Sequence, residues 1–441
     1  MINRLKIYSL FIILLGYGSA FGQAINYSSL TLEEAIELGL QQNKKLQTQR
    51  IQTSLAELKE KDLKNEKLPE VNFHSSFNVL SNLRQYEDGL LNPSTKYETP
   101  RLKYDFTLSA EMPIYYGGKL KFDEEKAALE TKNTTLEISK SEREVKLEII
   151  TAYLQVLHLQ QQQKLMSEKI KEDEAVVTQT KKLEKNGVVT FNEVLRTQLQ
   201  QSNHQITYNE LGKEMEILIH KVKTLLSIPE EQSLALDTHN LLDGSVGLDA
   251  IEDMIHDAYT KREDLQMIQN KIQQSEIDKK IVKANILPKI SAGAEYGYNY
   301  PNFMFFPPQE HLYRFGSVGI SLVMPLDNLY KNKVKVQEAE EKLKLSNLQL
   351  EHQKEAVRDE VFAAQKRLED AVDKLELAQK AIDQAKENYR IVKLKYANKL
   401  SLITELIDAD NALLEAESHM ISLQINKQLK NYQLQYVLGN L

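Results

Sequence analysis

Two long stretches, 114–228 and 326–441, contain no proline. Proline inside a helix costs about 3 kcal/mol, so both stretches are free to form helices of unusual length. Nine of the ten prolines fall instead in 69–113 and 288–325, and only Pro229 lies elsewhere. Aromatic residues keep the same company, with 18 of the 32 in 71–122 and 289–330. The chain is therefore made of two materials, each used twice in one order: helix, then an aromatic and proline-rich hairpin, then more helix.

This recurrence is an internal repeat. Leu46, Leu68, Pro69 and Val71 return as Leu265, Leu287, Pro288 and Ile290, at a constant offset of 219. Leu108, Ser109, Met112 and Pro113 return as Ile320, Ser321, Met324 and Pro325, at 212. The second offset still holds at Glu193-Val194 against Glu405-Leu406 and at Leu225 against Val437. The change of seven falls between about 82 and 101, opposite the shorter stretch 301–313, which marks an exposed loop. The expected division is 23–226 for the first repeat, 227–247 for a joint holding Pro229, Gly244 and Gly247, and 248–441 for the second. Hairpins are expected at about 70–113 and 289–325, and long helical hairpins at 119–226 and 331–438.

Four segments alternate with period two. Val71 to Val79 carries apolar odd positions; Leu102, Tyr104, Phe106, Leu108, Ala110 and Met112 share one face against Lys103, Asp105, Thr107, Ser109 and Glu111. The third sets Ile290, Ala292, Ala294, Tyr296, Tyr298 and Tyr300 against Ser291, Gly293, Glu295, Gly297 and Asn299. The fourth is clean from Val318 to Met324 and ambiguous at Arg314-Phe315-Gly316. Length near ten residues and aromatic apolar faces are the dimensions and girdle of an outer-membrane strand. Four strands cannot close a barrel, and an open edge in lipid leaves N–H and C=O groups unpaired at several kcal/mol each. Several chains must therefore contribute four strands each, eight from two copies or twelve from three.

The helices form seams. Val357, Val361, Ala364, Leu368, Ala371, Leu375, Ala378, Ile382, Ala385, Tyr389, Val392 and Tyr396 follow alternating steps of four and three, a coiled-coil pattern. Leu402, Leu406, Ala409, Leu413, Ala416, Met420 and Leu423 continue the same spacing on the return. Each long helix must reverse at a short turn, at Lys185–Thr190 and Ala397–Ser401. Gly187 suits the position just past a helix end, and Thr190 or Ser401 suits an N-cap.

Composition narrows the function classes. With 56 basic and 63 acidic residues the net charge is −7, the wrong sign for a nucleic-acid binder. No cysteine means no disulfide, thiolate metal site, cysteine nucleophile or lipid attachment, and the nine histidines never fall at i, i+4. Arg4 and Lys6 precede the apolar run Ile7–Leu15 and the small residues up to Gly22, so 1–22 reads as a signal peptide directing export.

Together these features resemble the TolC-like outer membrane efflux protein family over essentially the whole mature chain. The resemblance is carried by Leu32-x-x-Ala35-Ile36-x-x-x-Leu40-x-x-Asn43, by Arg262-Glu263-Asp264-Leu265 and by Leu68-Pro69 and Leu287-Pro288 before the strands. Met112-Pro113-Ile114-Tyr115-Tyr116-Gly117-Gly118 looks like the family's strand-to-helix corner. Lys44 stands where proline is common, and Pro325-Leu326-Asp327-Asn328 lacks the paired glycines. The fold class implied is an α+β membrane protein: a homotrimeric, twelve-stranded transmembrane β-barrel continuous with a long α-helical coiled-coil barrel. Such a protein is the outer membrane exit duct of a tripartite efflux pump or type I secretion system in a Gram-negative cell. It crosses the periplasm and performs no chemistry. It needs no cofactor or metal, and its partners are outer membrane lipid, a periplasmic adaptor and an inner-membrane transporter.

The resemblance also implies site residues. Glu405 and Asp408 match carboxylate rings that close the periplasmic entrance, and their i, i+3 spacing puts both on one helix face. Tyr396 and Glu193 match a polar latch between helix pairs, although Ser401 stands where the family often has arginine. The tips Gly187, Val188, Thr190, Asn398, Lys399 and Ser401 are expected to meet the adaptor. Two other readings compete: a periplasmic coiled-coil adaptor without a pore, and a secreted enzyme built on Glu and Asp pairs. The apolar loop Pro301–Pro308 leaves three uses open: folding over the barrel mouth, contacting lipid, or binding another surface protein.

Overall fold

The computed structural model describes residues 30–87, 89–237, 250–306 and 308–441. The 1–22 signal, the later part of the 227–247 joint and Pro307 lie outside them. The first repeat gives α1 (Leu32–Gln42), α2 (Lys44–Asn65), β1 (Glu70–Val79), a small hairpin of β2 (Leu83–Gln85) and β3 (Thr95–Tyr97), β4 (Leu102–Tyr116), α3 (Lys119–Lys185) and α4 (Phe191–Leu226). The second gives α5 (Ile251–Lys261), α6 (Glu263–Ala284), β5 (Lys289–Tyr300), β6 (Tyr313–Val323), α7 (Asn328–Ala397) and α8 (Ile403–Leu438). The β2–β3 hairpin fills the longer of the two loops, where the repeat offset changes. At 1.5 Å per residue α3 and α7 each run about 100 Å. No described helix is long and apolar enough to cross a membrane.

Helix starts and breaks follow local chemistry. Thr31 and Glu34 form a reciprocal capping box that opens α1. The chain turns extended at Asn43 and again at Arg262, splitting α1 from α2 and α5 from α6 at positions 219 apart. Leu46 and Leu265, matched at that offset, are 0% and 1% exposed, one in each of two apolar cores. The first core packs α1 against α3 and α4. Within it the buried Tyr153 hydroxyl donates to the Leu30 carbonyl at 2.8 Å. The second core packs α5 and α6 against the seam of α7 and the end of α8, through Ala258, Val357, Val361, Leu368 and Leu434.

The four long strands form one antiparallel sheet in the order β1-β4-β5-β6. Register aligns Phe73, Leu108 and Tyr296 in one row and Phe77, Tyr104 and Tyr300 in another, the latter with stacked rings. The opposite face aligns Asn72, Ser109, Glu295 and Ser317, which line a polar groove. Nothing among the described residues covers the apolar face: Phe73 is 70% exposed and Val318 88%. The outer sides of β1 and β6 have no partner strand among the described residues.

Two details complete the alternation read from sequence. The fourth strand begins at Tyr313, so Arg314 pairs with Tyr298 on the apolar face and Phe315 with Gly297 on the polar face. Pairing with β5 fixes that register, and Arg314 lies at the loop end of the strand, where its guanidinium reaches water. Strand β4 also runs past Met112 to Tyr116, with the register shifting between Pro113 and Tyr115. A bulge is where a sheet tolerates the missing proline N–H. Gly117 and Gly118, at φ +64° and +81°, then turn the strand into α3, and a Cβ on Gly117 would meet the Ala284 carbonyl at 3.0 Å.

Candidate channel gate

The turns that end α3 and α7 lie about 100 Å along each helix from its strand. Both are the same turn. Gly187 N–H donates to the Glu184 carbonyl at 2.8 Å and Val188 N–H to Leu183 at 2.9 Å; Lys399 donates to Tyr396 at 2.9 Å and Leu400 to Lys395 at 2.8 Å. These paired bonds satisfy the last carbonyls of each helix. Gly187 takes φ +66° and Lys399, 212 residues on, takes φ +64°. A side chain in that conformation costs about 1–2 kcal/mol. Lys399→Gly is accordingly expected to stabilise the protein by about 1 kcal/mol, seen as a higher unfolding midpoint in detergent. A lower midpoint would mean that the lysine side chain contributes more than the turn strain removes.

Thr190 occupies the N-cap of α4 without a side-chain bond, and Leu402, its counterpart at the same offset, occupies that of α8. Ser401 is therefore not the cap. It sits one residue earlier, and its hydroxyl donates to the Glu405 carboxylate. Asn398 ends α7 with its amide on the Leu394 carbonyl at 2.8 Å.

Glu405 and Asp408 are exposed on one side of α8, while Ile403, Leu406 and Ala409 are buried. Buried seam residues fix the helix so that both carboxylates project away from their own chain. Tyr396 and Glu193 are neighbours: the Tyr396 hydroxyl is buried between Thr180 of α3 and Glu193 of α4, with no hydrogen bond of good geometry. Burial, and after it the Glu193 carboxylate, push the Tyr396 phenol above its ordinary range.

Just above this face lies a polar network that pattern reading missed. Lys169 of α3, 6% exposed at its side chain, places Nζ 2.9 Å from Asp410 of α8 and 3.0 Å from Glu172. Burial works against its charge, but Asp410 and Glu172 hold Lys169 above its ordinary range. His204 of α4 sets Nδ1 2.7 Å from buried Asp173, and Gln200 bonds Asn411 of α8 at 2.5 Å while lying 3.0 Å from His204. Met166, Lys169, Asp173, Val177 and Thr180 are the buried line of α3 nearest its turn. Their steps of three and four are a seam, concealed because three of the five are polar. The network ties the first helical hairpin to the helix that carries Glu405 and Asp408.

A second tie explains the Arg262–Leu265 motif. Glu263 receives the buried Arg143 guanidinium of α3, which also donates to the Tyr436 carbonyl of α8 at 2.7 Å. Arg262 reaches Asp264 at 2.6 Å and Glu360 of α7 at 2.5 Å. Burial would raise the Asp264 carboxyl, yet Arg262 holds it below the usual carboxylate range. Arg262 and Glu263 thus tie the start of α6 to α7 and α3, and Arg143 carries the tie on to α8.

Residues 35–218 and 254–440 match the family model described as outer membrane efflux protein. The fold superposes on the outer-membrane channel OprN with a TM-score of 0.76 at 16% identity, covering 93% of this chain and 90% of that one. It superposes on the outer membrane protein VceC of Vibrio cholerae at 0.72 and 15% identity, covering 92% and 96%. For the open state of the MtrE outer membrane channel of Neisseria gonorrhoeae the values are 0.72 and 17%, covering 92% and 88%. No curated protein matches the chain in sequence. Both repeats match the family model, and their strands and helical hairpins follow the order of solved outer membrane channels; the chain belongs to the outer membrane efflux protein family.

Proposed function

We propose that this protein is a passive exit duct of the outer membrane, working as a homotrimer that spans the periplasm and is gated at its periplasmic tip. The observation that carries the reading is a sheet that, among the described residues, has one uncovered apolar face and two unpaired edges, joined directly to helices about 100 Å long. Lipid answers the uncovered face, and strands of further copies answer the edges. Three copies supply twelve strands and leave a lumen, with the row of Asn72, Ser109, Glu295 and Ser317 facing it.

In this assembly Glu405 and Asp408 form two carboxylate rings, and Tyr396 with Glu193 forms the latch beside them. The turns at Gly187, Val188 and Thr190 and at Asn398, Lys399 and Ser401 are the docking points for a periplasmic adaptor, which joins the duct to an inner-membrane transporter. Energy comes from that transporter, so the duct needs no catalytic residue. An adaptor without a pore would have no use for the exposed apolar sheet face, which argues against that reading.

Negative-stain images of detergent-extracted protein test the proposal. The expected particle is a hollow tube of about 140 Å, about 100 Å of helix plus about 35 Å of strand, with threefold averages. Thin rods lacking a barrel-shaped end, or protein that washes from membranes without detergent, would overturn it.

A further inference from the structure

The apolar loop between β5 and β6 has a definite place. Asn302 and Gln309 exchange backbone hydrogen bonds of 2.9 and 3.1 Å, which pin its two ends, and the Met304 N–H donates to the Asn302 side chain at 3.0 Å. Phe306 meets Tyr97 of β3 edge to face, with ring centroids 5.3 Å apart. Phe303 lies under Lys103, whose Nζ is 5.8 Å from the ring centroid.

Lys103 decides the side. In β4 it alternates with Leu102 and Tyr104 of the apolar face, and so shares the polar face with Asp105 and Thr107. The loop is therefore drawn over the polar, grooved side of the sheet and away from the side that meets lipid. There Phe303, Met304, Phe305 and Phe306 stay 48%, 63%, 55% and 64% exposed. Even with these contacts, four adjacent apolar side chains stay about half in water among the described residues, on a loop bridged at Asn302 and Gln309.

We infer that each such loop packs against the same loops of the other two chains, and that the three form an apolar constriction across the outer mouth of the duct. This rests on the trimeric duct proposed above, in which the polar face is the channel side. A twelve-stranded barrel with strands about 4.8 Å apart and tilted about 40° is roughly 24 Å across its backbone. Each loop then has about 12 Å to the axis. A folded loop of six residues reaches roughly 10 Å before its phenylalanine side chains are added. An apolar constriction of this kind sheds water and slows ions without stopping them until cargo displaces it. The duct thus carries two seals in series and of opposite chemistry, carboxylates at the inner end and hydrocarbon at the outer.

The test uses the full-length protein in planar bilayers. Phe303→Ser, Met304→Ser, Phe305→Ser and Phe306→Ser, made together, keep the loop length and the Asn302–Gln309 bridge. In a Glu405→Ala/Asp408→Ala background, where the inner seal is weakened, this change is expected to raise conductance about twofold or more. A separate variant, Phe305→Cys, exploits a chain that has no cysteine of its own. Oxidation in membranes is expected to give a disulfide-linked dimer of chains and a fall in conductance that reductant reverses, because crossing requires Cα atoms within about 7 Å. Unchanged conductance in the serine variant, together with a Phe305→Cys chain that stays uncrosslinked, would overturn the outer seal while leaving the duct standing. If no variant conducts, the background included, the duct reading fails and takes the seal with it.

Discussion

Arg143→Ala is expected to lower stability by about 3–5 kcal/mol. Side-chain exposure is 9% for Arg143 and 12% for Glu263, so neither charge has water to fall back on. Alanine would leave the Glu263 carboxylate buried without a counter-charge and the Tyr436 carbonyl without its donor. It would also empty the space against the Tyr436 ring, 5.3 Å from the guanidinium carbon. An apolar pair, Arg143→Met with Glu263→Leu, is expected to recover most of the loss, because the penalty comes from an unpaired charge more than from the missing attraction. Helical circular dichroism during urea unfolding in detergent reads both. A single variant within about 1 kcal/mol of the parent would show that water reaches Glu263 and that the tie is weak.

Removing the carboxylates at the tip should change conduction more than any other substitution outside the mouth. In the proposed trimer, Glu405→Ala with Asp408→Ala would take six negative side chains from the two proposed carboxylate rings. Conductance is expected to rise severalfold and the preference for cations to fall toward parity, since a ring of carboxylates both narrows the lumen and favours cations within it. Reversal potentials across a potassium chloride gradient measure the second effect independently of the first. A reversal potential unchanged by the double substitution would exclude both residues from the narrowest part of the path. The seam supplies the internal control: Ile403, Leu406 and Ala409 keep their packing, so the helix itself is not disturbed.

Architecture was legible in the sequence because it is written in absences and periods. Stretches without proline became α3 and α7, and residues matched at the 219 offset, Leu46 and Leu265, came to rest as buried anchors of parallel cores. The uncovered face of the sheet was visible as alternation in three strands. In the fourth it was clean from Val318 on and ambiguous at Arg314 and Phe315, because their faces are set by register with β5, a relation between segments that no single segment states. Ser401 misled for a similar reason: it is a good capping residue, but the duplicated turn places Leu402 where Thr190 stands. The network of Lys169, Asp173, His204 and Asp410 was hidden because polar residues in a seam look like a break in it. Their partners also lie 31 to 241 residues away. What Glu405 and Asp408 do depends on other copies of the chain, so their role follows from the assembly.

The free edges of β1 and β6 carry a consequence for inheritance. A three-chain barrel needs three seams, each joining an edge of one chain to an edge of the next, and one faulty chain opens the ring. If proline in β6 abolished its outer edge, and such chains were made in equal number with sound ones, only about one assembly in eight would contain three sound chains. Such an allele would act dominantly, silencing most of the product of its healthy neighbour.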